Sequence, residues 1–194
     1  MEMKQWWKKN RETHLGTVIY VIGGFLAAIA FYAIIGTVLG TQTPIVSVFS
    51  GSMTHDGLND QGEFVGHMPI VGAGIEDYWR MYGEWYDGNN ISRAEFSSWP
   101  ISSGFAKGDI LVIVGTTEVE KGDVIVFNSG RYYYYPIIHR VIGVEENGYR
   151  TKGDHNAAQD NWLVAKENVY GKAVGVVPLL GWVKIIFHDL TGIA

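Results

Sequence analysis

DILVIVGTTEVEKGDVIVF, running from Asp109 to Phe127, sets the structural class of this chain. Two short runs of Val, Ile, Leu and Phe each open on a Gly-Asp pair, at Asp109 and Asp123. Branched and aromatic runs of four to eight residues bounded by turn residues read as strands. The same texture continues outward: PIVSVFS from Pro44, YYYYPIIHRVIGV from Tyr132, YRTK from Tyr149 and VYGKAVGVV from Val169. No alternation of strand and helix is visible among them. The expectation is a mainly β domain of small antiparallel sheets or a distorted barrel. Within the run ending at Val144, Ile137, His139 and Val141 fall on one face, and Ile138, Arg140 and Ile142 on the other.

Upstream the character changes. Between Leu15 and Thr54 there is no charged residue, and Thr17 to Leu39 is almost wholly apolar. A bilayer core of roughly 30 Å takes about 20 helical residues, so this stretch is long enough to span, whereas the apolar part of a cleavable signal is usually about 7 to 15 residues. Residues 15–40 therefore read as a transmembrane anchor. Lys4, Lys8, Lys9 and Arg11 precede it, with Trp6 and Trp7 as interfacial anchors, which predicts a cytoplasmic N-terminus over residues 1–14 and an extracytoplasmic domain over 41–194.

Beyond residue 14 the chain holds 11 basic against 18 acidic residues within the overall net charge of −5, an acidic balance that argues against a nucleic-acid partner. Zero cysteines exclude disulfides, thiolate metal sites and a Cys nucleophile. His14, His67 and His188 have no metal-ligand spacing, and neither a metal nor an organic cofactor is implied.

Two segments depart from the β texture. From His55 to Ala106 the chain is acidic, aromatic and turn-rich, and residues 57–104 read as an insertion. Inside it Ile75, Tyr78, Trp79, Tyr82 and then Trp85 or Tyr86 recur at helical spacing. This stripe is expected to pack on the domain or shallowly at the interface and to tune access without supplying a catalytic group. Replacing the insertion by a short linker is expected to preserve the fold. PLLGWVKIIF, from Pro178 to Phe187, is apolar but too short to span and belongs against the domain or at the membrane interface.

Chemistry enters with SGSM, Ser50 to Met53, behind the first strand. A serine needs a base to act as a nucleophile, and a tight turn can expose its hydroxyl beside backbone donors. Taken alone, Ser-Gly-Ser is more often an ordinary turn, and a histidine beside apolar neighbours is more often structural than catalytic.

SGSM, GDILVIV (Gly108 to Val114), KGDVIVF (Lys121 to Phe127), PIIHRVIGV (Pro136 to Val144), TKGDHNAAQD (Thr151 to Asp160) and GKAVGVVPLLG (Gly171 to Gly181) occur in this order behind an N-terminal anchor. In this the chain resembles the type I signal peptidases, specifically the branch of archaea and the endoplasmic reticulum. The resemblance implies Ser52 as nucleophile, His139 as general base, Asp160 as the third member of the triad and Asp154 as a supporting carboxylate. It also implies Ser50 beside the Ser52 N–H at the oxyanion, with Val48 and Met53 near the substrate. Lys152 matches a non-catalytic lysine, which disfavours a Ser-Lys dyad. The chain departs from the family pattern at His55, where a Pro is usual, and at His155, where an Asn is usual.

The implied function is cleavage of N-terminal signal peptides from exported preproteins by a membrane-bound serine endopeptidase. The expected partners are those preproteins, the lipid bilayer and the protein translocation channel. The expected location is the cell membrane, or the endoplasmic reticulum membrane in a eukaryote. The substrate would add as an extended strand beside Val46 to Ser50 and Tyr135 to His139. The alternative is a membrane-tethered β domain that binds a partner without catalysis.

Overall fold

The computed structural model describes residues 13–55, 75–130 and 136–191. The basic N-terminal cluster with Trp6 and Trp7, the first part of the insertion and Tyr132 to Tyr135 lie outside the described residues.

The apolar stretch forms helix α1, His14–Leu39. Thr13 caps its N-terminus by accepting from the Gly16 N–H, and Gly40, at φ +64°, closes its C-terminus in the left-handed conformation that glycine adopts without a Cβ penalty. Its apolar side chains face outward all round, as expected of a helix whose solvent is lipid.

The mainly β expectation is borne out, with the strands joined into one seven-stranded antiparallel sheet. In chain order the strands are β1 Ile45–Ser47, β2 Ile110–Val114, β3 Val124–Phe127, β4 Ile137–Glu145, β5 Gly148–Lys152, β6 Val164–Ala165 and β7 Val169–Val177. Their order across the sheet is β1-β2-β7-β3-β4-β5-β6. The all-apolar VIVF of β3 is buried on both faces because it lies centrally, whereas β2 alternates, burying Leu111 and Ile113. The two Gly-Asp pairs are turn devices: Asp109 accepts from the Ala106 and Leu179 N–H groups, and Asp123 accepts from the Glu120 N–H and Lys172 Nζ.

The helical stripe of the insertion is helix α2, Ile75–Gly88, followed by α3, Arg93–Ser98, with Ser92 as its N-cap. Tyr78, Tyr82, Tyr86, Ile91, Phe96 and Trp99 form a buried cluster of their own. A second cluster joins Val48, Met53 and Phe105 to the sheet, and a third lies under β4 and β5. The apolar C-terminal stretch becomes helix α4, Trp182–Thr191.

Candidate active site

The SGSM turn leaves β1 and crosses to the loop between β5 and β6. The Ser52 carbonyl accepts the His155 N–H at 2.8 Å, and a Cβ on Gly153 would come 2.8 Å from that same carbonyl, so close approach of the two loops requires glycine there. At the far end of the second loop, Asp160 Oδ2 lies 2.7 Å from His139 Nδ1 on β4. Thr151 Oγ1 donates to the same oxygen at 2.5 Å, and the Asp160 N–H donates to the Thr151 carbonyl at 2.8 Å. The carboxylate is thus fixed twice, by side chain and by backbone. With Nδ1–H donating to it, the His139 lone pair is on Nε2. His139 and Asp160 are nearly buried, while Ser52 is half-buried, with its Oγ 3.3 Å from Ser50 Oγ.

Val48 and Met53 flank the turn as buried residues. Val48 is in the core, its N–H donating to the Asp109 carbonyl and its carbonyl accepting from the Gly108 N–H. Both of its backbone groups are therefore used within the domain. By the alternation of an antiparallel edge, Ser47 and Phe49 direct theirs away from β2. Met53 is 1% exposed, and its sulfur accepts from the Asp154 N–H at 3.4 Å. It ties the SGSM turn to the Asp154 loop.

Asp154 is fully buried and paired. Arg140 Nε reaches Oδ1 at 2.9 Å and Nη2 reaches Oδ2 at 2.7 Å, and His55 Nε2 lies 2.9 Å from Oδ2. The remaining guanidinium hydrogens go to the carbonyls of Pro100, Ile101 and Gly122 at 2.8 to 2.9 Å. Burial alone would raise the Asp154 pKa, but the charge of Arg140 and the hydrogen bonds from His55 and Arg140 hold it well below the usual carboxylate range. Arg140 is held above its ordinary value in return, Asp154 outweighing burial. His55 goes the other way. Burial lowers its pKa despite Asp154, so the ring is neutral and donates Nε2–H to Oδ2. Its buried Nδ1 has no partner among the described residues, and protonating that atom would create an orphan donor.

The insertion takes part in this network. Tyr78 stacks on the His55 ring at 3.7 Å, and its hydroxyl donates to the Asp154 carbonyl at 2.9 Å. Pro100 and Ile101, which cap Arg140, also belong to it. Against the expectation that a linker preserves the fold stands the loss of these contacts: removing residues 57–104 would leave a buried guanidinium short of two acceptors.

Lys152 is also fully buried. Its Nζ donates to the carbonyls of Gly153 and Asp154 and lies 4.8 to 5.8 Å from the ring centroids of Tyr86, Trp85 and Tyr82. Burial lowers its pKa to about 8. Its hydrogen bonds to those carbonyls point it at the loop backbone.

Arg140 and the His55–Tyr78 stack are the site residues that sequence reasoning missed. For Arg140 a signal existed, because a cation in the middle of an apolar strand demands a buried partner. For His55 there was only its departure from the family pattern.

Comparison with curated proteins finds relatives that share the motifs' implied function in name. The chain is 40% identical over 101 residues to the signal peptidase complex catalytic subunit SEC11C of Homo sapiens, a match covering 44% of this chain and 51% of that protein. It is 34% identical over 99 residues to the signal peptidase complex catalytic subunit SEC11 of Lodderomyces elongisporus, covering 44% and 58%. With the corresponding subunit of Penicillium rubens it shares 34% over 98 residues, covering 44% and 55%. The chain thus spans about half the length of the curated relatives it matches. No family model matches it, and no solved structure matches it significantly. The likeness carried by the motifs is borne out by these comparisons: over the matched stretch, the chain is similar to the Sec11 catalytic subunits of the signal peptidase complex.

Proposed function

We propose that the protein is a membrane-anchored serine endopeptidase that removes signal peptides from exported preproteins, with Ser52 as nucleophile and His139 as general base. The observation that carries this reading is the Asp160–His139 pair, which leaves Nε2 of a nearly buried imidazole as the proton acceptor. Ser52 Oγ attacks the scissile carbonyl as its proton passes to Nε2. Asp160 steadies the imidazolium, and Nε2 returns the proton to the leaving amine. Water then repeats the sequence on the acyl-enzyme. Hydrogen bonds between nucleophile and base commonly tighten only when substrate is bound. Ser50 Oγ, 3.3 Å from Ser52 Oγ, can turn its hydroxyl to the developing oxyanion beside the Ser52 N–H. A serine-directed phosphonate that labels the wild type but not Ser52→Ala, together with loss of preprotein cleavage in the same variant, tests the assignment. Efficient cleavage by Ser52→Ala would refute Ser52 as the nucleophile, and a wild type that neither labels nor cleaves would leave the tethered, non-catalytic reading in place.

Ser50→Ala is expected to lower kcat by about 10²-fold or more with little change in KM, the signature of a lost oxyanion donor. Steady-state kinetics on a preprotein-derived peptide checks it.

The acid limb of the activity profile separates the two bases. A lysine base predicts a rise near the lowered value of Lys152, about 8, that is lost when this residue is replaced. We expect Lys152→Met to leave the limb in place; kcat/KM against pH is the measurement.

The proposed topology puts everything after α1 outside. Asn90, exposed in the turn between α2 and α3, is a convenient reporter. Asn90→Cys should react with a membrane-impermeant maleimide on intact cells, without lysis. Labelling only after lysis would reverse the orientation drawn from the basic N-terminus.

A further inference from the structure

The buried ring of His55 holds its place at a cost. Its Nδ1 has no partner among the described residues, a penalty that a phenyl ring of similar size would not carry. Nor is its donor needed to neutralise Asp154, because Arg140 already bonds both carboxylate oxygens. What distinguishes His55 is where it stands in the chain.

The Thr54 N–H donates to the Gly51 carbonyl at 3.0 Å, closing a four-residue turn with Ser52 and Met53 at its centre. His55 is the first residue beyond that turn, and its side chain is fully buried. Its Nε2–H donates to Asp154 Oδ2 at 2.9 Å, and the same oxygen accepts from Arg140 Nη2 at 2.7 Å. Arg140 follows His139 on β4. One carboxylate oxygen therefore joins the residue after the proposed base to the residue at the exit of the nucleophile turn. The insertion meets the ring twice. Tyr78 of α2 stacks on it, with ring centroids 3.7 Å apart and planes 13° from parallel. A Cβ on Gly104 would fall 2.6 Å from His55 Cδ2 and 2.7 Å from the Met53 carbonyl oxygen, so the end of the insertion closes on ring and turn together. The Phe105 N–H completes that contact by donating to the Met53 carbonyl at 3.1 Å.

We propose that His55 is a positioning residue for Ser52: its ring transmits the placement of Asp154, Tyr78 and Gly104 to the turn and so sets the nucleophile against His139. The proposal rests on reading Ser52 as the nucleophile. A misplacement of about 1 Å far from the chemistry can cost about 10²-fold in rate. A tight turn held at its exit passes such a shift on to Ser52 while leaving the substrate-binding strands where they are. The loss therefore falls on kcat, with KM kept.

The test uses the full chain in detergent micelles, well below its melting temperature, with a serine-directed phosphonate and a preprotein-derived peptide. His55→Phe keeps the stack and the volume of the ring and removes the donor, whereas His55→Gln carries an amide donor at the reach of Nε2. We expect His55→Phe to label to full stoichiometry but about 10²-fold more slowly, with kcat lowered alike and KM unchanged, and His55→Gln to recover most of the rate. Wild-type rates in His55→Phe overturn the proposal, as does a His55→Gln no faster than His55→Phe. So does a lowered stoichiometry whose labelled fraction reacts at the wild-type rate, because the ring then serves the fold alone. If His55→Phe does not fold, Tyr78→Leu decides, since it takes the stack from the ring and leaves the donor. Slower labelling of that variant at full stoichiometry supports the proposal, and the wild-type rate overturns it. A wild type that the phosphonate does not label refutes Ser52 as the nucleophile and the proposal with it.

Discussion

Ser52→Ala and His139→Ala are each expected to reduce preprotein cleavage by about 10⁶-fold, and the double variant by scarcely more, because triad members act as one unit. Asp160→Asn should be milder, about 10⁴-fold, since the imidazole remains but Nδ1–H loses the carboxylate that fixes its tautomer. Ser52→Ala and Asp160→Asn should insert and melt close to the wild type: Ser52 is half-buried, and Asp160→Asn keeps the size of the side chain that Thr151 holds. Single-turnover cleavage of a preprotein in detergent micelles measures the loss. Near-normal turnover by His139→Ala would refute the proposed base whatever Ser52 does.

The largest effect on stability is expected at Arg140. Arg140→Met removes both bonds to the Asp154 carboxylate and takes the donor from the buried Gly122 carbonyl and from those of Pro100 and Ile101. Breaking one side of a buried ion pair costs about 3 to 5 kcal/mol. For a chain of this size that lowers Tm by about 10 °C or more. Arg140→Lys should rescue little, because an ammonium cannot reproduce the two-pronged contact. Arg140→Met with Asp154→Leu should recover part of the loss, since the uncompensated charge goes too. Thermal melts of the four proteins in one detergent decide this, and a melt of Arg140→Met within 2 to 3 °C of wild type, under about 1 kcal/mol, would contradict the network's role.

The same network makes stability fall on acidification in two steps. His55 has a lowered pKa in the folded state, so between that value and its unfolded value near 6.5 the unfolded chain binds more protons, and stability drops as pH falls through this window. Asp154, also lowered, contributes fully above its unfolded value near 3.8 and loses its contribution as pH falls toward its folded value. His55→Asn should abolish the first step and leave the second.

Much of this was legible from the chain because it depends on local pattern. The span follows from an uncharged apolar run, the strands from branched residues between Gly-Asp pairs, and α2 from the spacing of Ile75, Tyr78, Trp79 and Tyr82. The pairing of strands into one sheet was not legible, since β1 bonds to a strand 63 positions away, Ser47 opposite Ile110, and no local signal encodes that partner. The burial of Val48 and Met53 was not legible either, because it depends on core partners such as Phe105 and Leu111, distant in sequence. The standing of the insertion was hidden too, because carbonyls such as those of Pro100 and Ile101 carry no sequence signature.

β7 is the last strand in the chain and yet sits between β2 and β3, in the middle of the sheet. On one side of it lies the pair that leads into the Ser52 turn; on the other lie β3 to β6, with His139 and the loop to Asp160. During synthesis these halves leave the ribosome with no strand between them. Only when residues 169–177 have emerged can the sheet close and bring Ser52 and His139 into one frame. A nascent chain halted short of β7 would therefore hold the two halves of the proposed site on separate, unjoined pieces of sheet.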